Sequence, residues 1–344
     1  MHPRASVGRV LVLVQLLGLL VWEGGCSSSS ELRTPCQDVA TQGSNVASKG
    51  QVPLANIRSG LDRYVESQYL RGGLDGSGSV PEQELIRRVQ NAILLRERAL
   101  SDLERVYLAF KLLDEYDAGA QVEGKLGDLT KSVNDFSTAV GRNDPLLNNV
   151  SVGLITKAGA ALAAGTQSAT IRKASAEIRV RVARLRDAMH SELGQLQGLM
   201  SDIADEDARL IKELRKDELL RDSPALDGSQ LLAELLKATG AEVDAAKARQ
   251  IIARHDKLGD ALMAIRAQRG TEDLEKQESI LDATAGALDS LVTAHEQLES
   301  DQPLTLQTLQ AKVAQLAALV EEYKQWRQKD EEARNARRAT TQPN

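Results

Sequence analysis

Aromatic side chains are scarce in this 344-residue chain, with two Trp, five Tyr and two Phe. A core built on rings is excluded, so Leu, Ala, Ile and Val must fill it. Cysteine is limited to Cys26 and Cys36, and there are four histidines. That excludes a disulfide-stapled scaffold and a thiolate zinc cluster. No Glu-x-x-His pair occurs, so the carboxylate metal pattern of helical bundles is missing. The one sustained apolar run, residues 10–22, falls short of the ~20 residues that an ordinary membrane-spanning helix needs. Catalytic signatures are missing as well. There is no Gly-x-Ser-x-Gly elbow. Gly124-Lys125-Leu126 lacks the upstream glycine and the following Ser/Thr of a phosphate loop. Asp75-Gly76-Ser77-Gly78-Ser79 has Ile86 where a calcium loop needs its bidentate Glu. The sequence therefore implies no enzyme, no cofactor and no metal. A formal charge of -6 argues against nucleic acid as the main partner.

What is abundant is Ala, Leu, Glu, Gln, Arg and Lys, the strongest helix formers. The composition predicts an all-α, elongated helical bundle with long antiparallel coiled-coil hairpins. The proline spacing, at 53, 81, 145, 224 and 303, predicts helix starts, because proline is tolerated in a first turn. Ser79 and Glu82 read as a capping box around Pro81. Helices are expected over about 80–117, 124–141, 146–221, 229–239, 241–300 and 304–336. Apolar steps of three and four support them. Leu306, Leu309, Val313, Leu316, Val320 and Tyr323 form one seam. Ile251, His255, Leu258, Leu262 and Ile265 form another, and Leu274, Leu281, Leu288, Leu291, His295 and Leu298 continue it. Ile178, Val182, Leu185, Met189, Leu193, Leu196, Met200 and Ile203 form a third. Two successive steps of four at 185–189–193 make a stutter there. On this reading residues 80–338 are the helical body and 339–344 a polar tail.

The N-terminus carries an address. Arg4 and Arg9 precede the apolar run, and the small residues Gly24 and Gly25 follow it, which is the layout of a secretory signal. Cys26 comes next, then Ser27-Ser28-Ser29-Ser30. Gly24, Gly25 and Cys26 resemble the lipobox of bacterial lipoproteins, and Glu23 departs from the aliphatic residue usual there. The resemblance covers about the first thirty residues. It implies cleavage after residue 25, acylation of Cys26 and a lipid anchor in the cell envelope. Ser27 resembles signals that lead to the outer membrane, facing the periplasm. A plain secretory signal with a Cys26–Cys36 disulfide is the other reading. Residues 26–79, rich in Ser and Gly, are expected to be a flexible tether with one short helix over 61–70 that includes Tyr64 and Tyr69.

Three further features bear on function. Arg172, Arg179 and Arg186 stand seven apart on one face of a basic stretch. They suit charge pairing with the acidic residues 272–282 across a hairpin, ahead of binding to an anionic polymer or lipid. Residues 150–165 are low in charge, with Gly153, Gly159 and Ala163 as small positions. They suit close helix packing, or insertion into a bilayer by a pore-former-like protein. His255 and His295 read as polar seam residues that fix register. The function expected is a lipid-anchored structural spacer or docking adaptor that binds another protein through helix faces. The alternative is a membrane-acting helical protein.

Overall fold

The computed structural model describes residues 28–74, 83–113, 118–142, 147, 164–216, 228–238, 240–241, 243–300 and 304–341. Among them every regular element is an α-helix, and the chain is all-α. The helices are α1 (Ser28–Gly50), α2 (Val52–Leu74), α3 (Gln83–Lys111), α4 (Ala118–Ala139) and α5 (Ala164–Lys216). They are followed by α6 (Ser229–Ala238), α7 (Ala245–Ala253), α8 (Asp256–Glu299) and α9 (Gln307–Thr341).

The largest departure from expectation is at the start. The stretch expected to be a flexible tether forms α1 and α2 instead. Its buried residues explain why: Cys36, Val39, Ala40, Gly43, Val46, Ala47 and Gly50 recur in steps of three and four. That is a helical apolar stripe written in small residues, which composition alone reads as low hydrophobicity. Pro35 lies inside α1, against the expectation that prolines only begin helices. An interior proline costs about 3 kcal/mol, which the burial of this stripe must offset. Pro53, by contrast, stands in the first turn of α2.

Other boundaries moved less. Helix α4 begins at Ala118 and takes Gly119 into its first turn. It stops at Gly141, whose φ of 77° lets the Arg142 N–H reach back to the Ser137 carbonyl at 3.0 Å. The helix expected over 241–300 is divided into α7 and α8, and exposed His255 sits in the break instead of on a seam. No proline or glycine stands at this break. It belongs to a small cluster in which Leu232 of α6, Ala248 of α7 and Leu262 of α8 bury one another. Asp244 caps α7 by accepting from the Lys247 N–H at 2.7 Å. Gly270 does not interrupt α8. The capping box at 79–82, Pro81, Pro145, Pro224 and Pro303 lie outside the described residues.

The chain forms two compact units. Unit 1 draws its described residues from Met1–Ser48, Arg98–Asp187 and Gly286–Val313, and unit 2 from Lys49–Glu97, Ala188–Ala285 and Ala314–Asn344. In unit 1, Val39 and Val46 of α1, Leu103, Val106 and Phe110 of α3, and Leu129 and Phe136 of α4 are sealed from solvent. So are Ile178, Val182 and Leu185 of α5 and Leu288, Leu291 and Leu298 of α8. The Asn134 amide makes two hydrogen bonds of 2.9 Å to the backbone N–H and carbonyl of Leu147, pinning the chain beyond α4. In unit 2, Leu54, Ile57 and Leu61 of α2, Ile93 of α3, and Met189, Leu196 and Met200 of α5 are buried. Ile280 of α8 packs there with Leu316, Val320 and Tyr323 of α9, and Trp326 lies against this group.

The third seam is corrected at one place. Leu193 is half-buried, and Glu192 is the buried residue between Met189 and Leu196. The ladder therefore steps 185–189–192–196–200, and the two successive steps of four fall at 192–196–200 instead of at 185–189–193.

In unit 1 one close approach depends on a missing side chain. A Cβ placed on Gly43 of α1 would lie 2.3–2.5 Å from ring atoms of Tyr107, and Tyr107 is fully buried. We expect Gly43→Ala to lose about 1–3 kcal/mol by overpacking. Alanine's helix propensity would otherwise add about 1 kcal/mol. Urea unfolding decides, and a higher midpoint in the variant would refute the close-packing argument.

Candidate functional site

The residues singled out from the sequence fall in different places. Cys26, Gly153, Gly159 and Ala163 lie outside the described residues. Arg179 and Arg186 lie on α5 in unit 1, and both reach acidic residues of α8. The Arg179 Nε donates to Glu299 Oε1 at 2.8 Å, with Glu296 Oε1 3.7 Å from its Nη1. The Glu299 hydrogen bond raises the Arg179 pKa further. Arg186 sits 2.7 Å from Asp187 and 3.5 Å from Asp289. Arg172 is half-buried on the same helix. The partners are thus residues 289–299, not 272–282 as expected. The expected register assumed a tight turn near 226–230, but α6 and α7 occupy the intervening chain and shift the pairing along α8. The order of the pairs, 179 with 299 and 186 with 289, makes α5 and α8 antiparallel in this unit.

The same unit contains a buried polar cluster. His295 of α8 is fully buried, with Tyr107 of α3 and Ser175 of α5 equally sealed. The Tyr107 hydroxyl is 3.0 Å from His295 Nε2, and the Ser175 Oγ is 2.8 Å from Nδ1. Ser175 also donates to the His295 carbonyl at 3.3 Å. Since that bond uses its single hydrogen, Ser175 accepts from Nδ1–H, and Nε2 is left to accept from Tyr107. This assignment satisfies all three side chains. The rings of Tyr107 and Phe110 lie 5.8 and 5.9 Å from the imidazole. Burial, with a smaller contribution from the Arg179 charge, lowers the His295 pKa to about 3. Burial also raises that of Tyr107. The imidazole is therefore neutral near pH 7 and locked in one tautomer. Arg181, 2% exposed, is satisfied nearby. Its Nε donates to Thr130 Oγ1 and its Nη1 to the Glu177 carboxylate and carbonyl, each at 2.7 Å.

Unit 2 contains a buried ion pair. Arg96 Nη1 of α3 is 3.2 Å from Glu192 Oε2 of α5, with side-chain exposures of 0% and 5%. Arg96 Nε and Nη2 have no hydrogen-bond partner among the described residues. Burial lowers the Arg96 pKa against the pull of Glu192, and raises the Glu192 pKa against the pull of Arg96. In both cases desolvation outweighs the pairing.

Sequence reading anticipated His295 as a polar residue in a helical seam. It missed Tyr107, Ser175, Arg96 and Glu192. Arg96 left a signal: it stands on the apolar face made by Ile93, Leu100 and Leu103, at helical spacing. No group of three His, Cys, Asp or Glu side chains among the described residues is placed to hold a metal ion. No helix among them is long and apolar enough to cross a membrane. A small hollow beside Cys36, lined also by Arg33, Gln37, Phe110 and Lys111, has room for about one water. No protein-family model, curated protein or solved structure matches this chain.

The buried pair gives a direct test. Removing one partner, as in Glu192→Ala, leaves a charge uncompensated and should cost about 3–5 kcal/mol. Replacing both, as in Arg96→Met with Glu192→Leu, should be neutral or stabilising by up to about 4 kcal/mol. A double variant as unstable as the single one in chemical denaturation would show that the pair itself stabilises the fold.

Proposed function

We propose that this chain is a lipid-anchored protein of the bacterial envelope, whose helical body acts as a structural spacer or docking scaffold for another protein. The observation that supports this reading is where the polar chemistry lies. Four sealed polar side chains of unit 1, Tyr107, Ser175, His295 and Arg181, are committed to joining one helix to another or to their own backbone. A body of this kind offers its outer helix faces to a partner. Leu108 of α3 and Leu112 in the turn just past its end, both in unit 1, are exposed large apolar side chains that suit such an interface. The lipobox-like Gly24-Gly25-Cys26 supports the anchor, with a thioether-linked lipid contributing ~0.8 kcal/mol per buried methylene to membrane binding.

Two measurements test the two halves of this reading. A fatty-acid probe should label the protein in a globomycin-sensitive manner, and the label should vanish in Cys26→Ala. Labelling that survives the substitution would sink the anchor. A photo-crosslinking residue at Leu108 should trap one discrete protein partner in cells, and Leu112→Asp should weaken the trapped band at least tenfold. The absence of any adduct, or adducts unaffected by Leu112→Asp, would remove this face from the proposal.

A further inference from the structure

His295 has no second proton to accept in the closed packing of unit 1, and the geometry shows why. Its Nδ1–H is given to Ser175, whose own hydrogen goes to the His295 carbonyl. Its Nε2 receives the hydroxyl hydrogen of Tyr107. A proton on Nε2 would force that hydroxyl hydrogen to turn away, and no other acceptor reaches it among the described residues. No carboxylate hydrogen-bonds the imidazole either. The groups facing it are the Tyr107 hydroxyl and Phe110 ring from α3, and the Ser175 hydroxyl and Arg179 guanidinium from α5. On α8 itself, Glu296 and Glu299 are engaged with Arg179. A new cation on the sealed imidazole would therefore lose its hydration, face the Arg179 charge and find no carboxylate of its own.

The Tyr107 ring and the Phe110 backbone also meet α1. The Tyr107 ring fills the space a side chain at Gly43 would need, and the Cys36 thiol lies 3.9 Å from the Phe110 carbonyl. Loss of the His295 junction would therefore unseat the helix that holds Cys36.

We propose that the Tyr107–His295–Ser175 chain is an acid-operated latch: protonating His295 is incompatible with the closed unit 1, so acidification releases α1, α3, α5 and α8 from one another and uncovers Cys36. The sign follows from linkage. A histidine held near 3 in the closed unit, against 6.5 when released, binds its proton first in the open state. The latch is fully engaged above pH 6.5 and weakens about tenfold for each pH unit below it, until pH 3. Unit 2 is not built this way. Its histidines among the described residues, His190 and His255, are exposed. Its buried Glu192 has the opposite sign, because a carboxyl raised by burial loses stability as pH rises.

The test uses the full chain carrying Trp22→Phe and Cys26→Ser, which leaves Cys36 and Trp326 as single reporters of unit 1 and unit 2. The probe is 4,4′-dithiodipyridine, with its rate normalised at each pH to an unhindered thiol. From pH 7 to 4.5 the normalised labelling of Cys36 should rise roughly 50- to 100-fold, while Trp326 emission stays constant. In His295→Gln the rise should be lost. An equal rise in His295→Gln, or no rise in either chain, overturns the proposal. Trp326 emission that changes in step with Cys36 overturns its confinement to unit 1. Should His295→Gln fail to fold, carbon-13 histidine NMR of the parent chain decides. The His295 imidazole should stay neutral until Cys36 becomes reactive, and a titration completed while Cys36 is still protected refutes the latch.

Discussion

Tyr107 lies where three helices of unit 1 meet. Its ring occupies the space left by the missing side chain of Gly43 on α1, and its hydroxyl closes on His295 of α8. In a chain with so few aromatic residues, this one ring fixes both the spacing and the register of its neighbours. Apolar stripes of Leu, Val and Ala specify that helices pack, but one such stripe slides on another at little cost. A hydroxyl that must find one nitrogen, and a ring that fits against one glycine, remove that freedom.

The two units handle buried polarity differently. At its centre unit 1 uses a neutral chain in which each donor has an acceptor, and beside it Arg181 bonds Thr130 and Glu177. Unit 2 buries a full ion pair and leaves two nitrogens of Arg96 without partners. A satisfied neutral network stabilises its surroundings modestly and specifies them strongly. An incompletely satisfied ion pair specifies register at a cost in stability.

The all-α fold was legible because the signal for it, strong helix formers with steps of three and four, is local and repeated. Leu306, Leu309, Val313, Leu316, Val320 and Tyr323 were read as one seam; Leu306 is half-buried and the other five are buried. Helix α1 was missed for a physical reason: its stripe is made of Cys, Ala, Gly and Val, whose small size disguises the period. Glu192 was missed in favour of Leu193 because hydropathy prefers the leucine, and only the opposite charge of Arg96, ninety-six residues earlier, makes the glutamate an interior residue. The acidic partners of Arg179 and Arg186 were misplaced along α8 because their register depends on how much chain α6 and α7 absorb. The hydrogen-bond chain at His295 joins residues 107, 175 and 295, and periodicity along one helix says nothing about such distant neighbours.

The helical start at Ser28 changes what an anchor at Cys26 would mean. Thirty flexible residues could extend to about 100 Å, and a body on such a leash would sample a wide hemisphere above the bilayer. With regular structure beginning two residues after Cys26, the slack of such an anchor would be no more than about 7 Å. The first helix would then work as a stem, not a string. Tilting of α1 at the lipid surface would be passed directly to Gly43 and the ring of Tyr107, so that the membrane and the interior of unit 1 would be mechanically continuous.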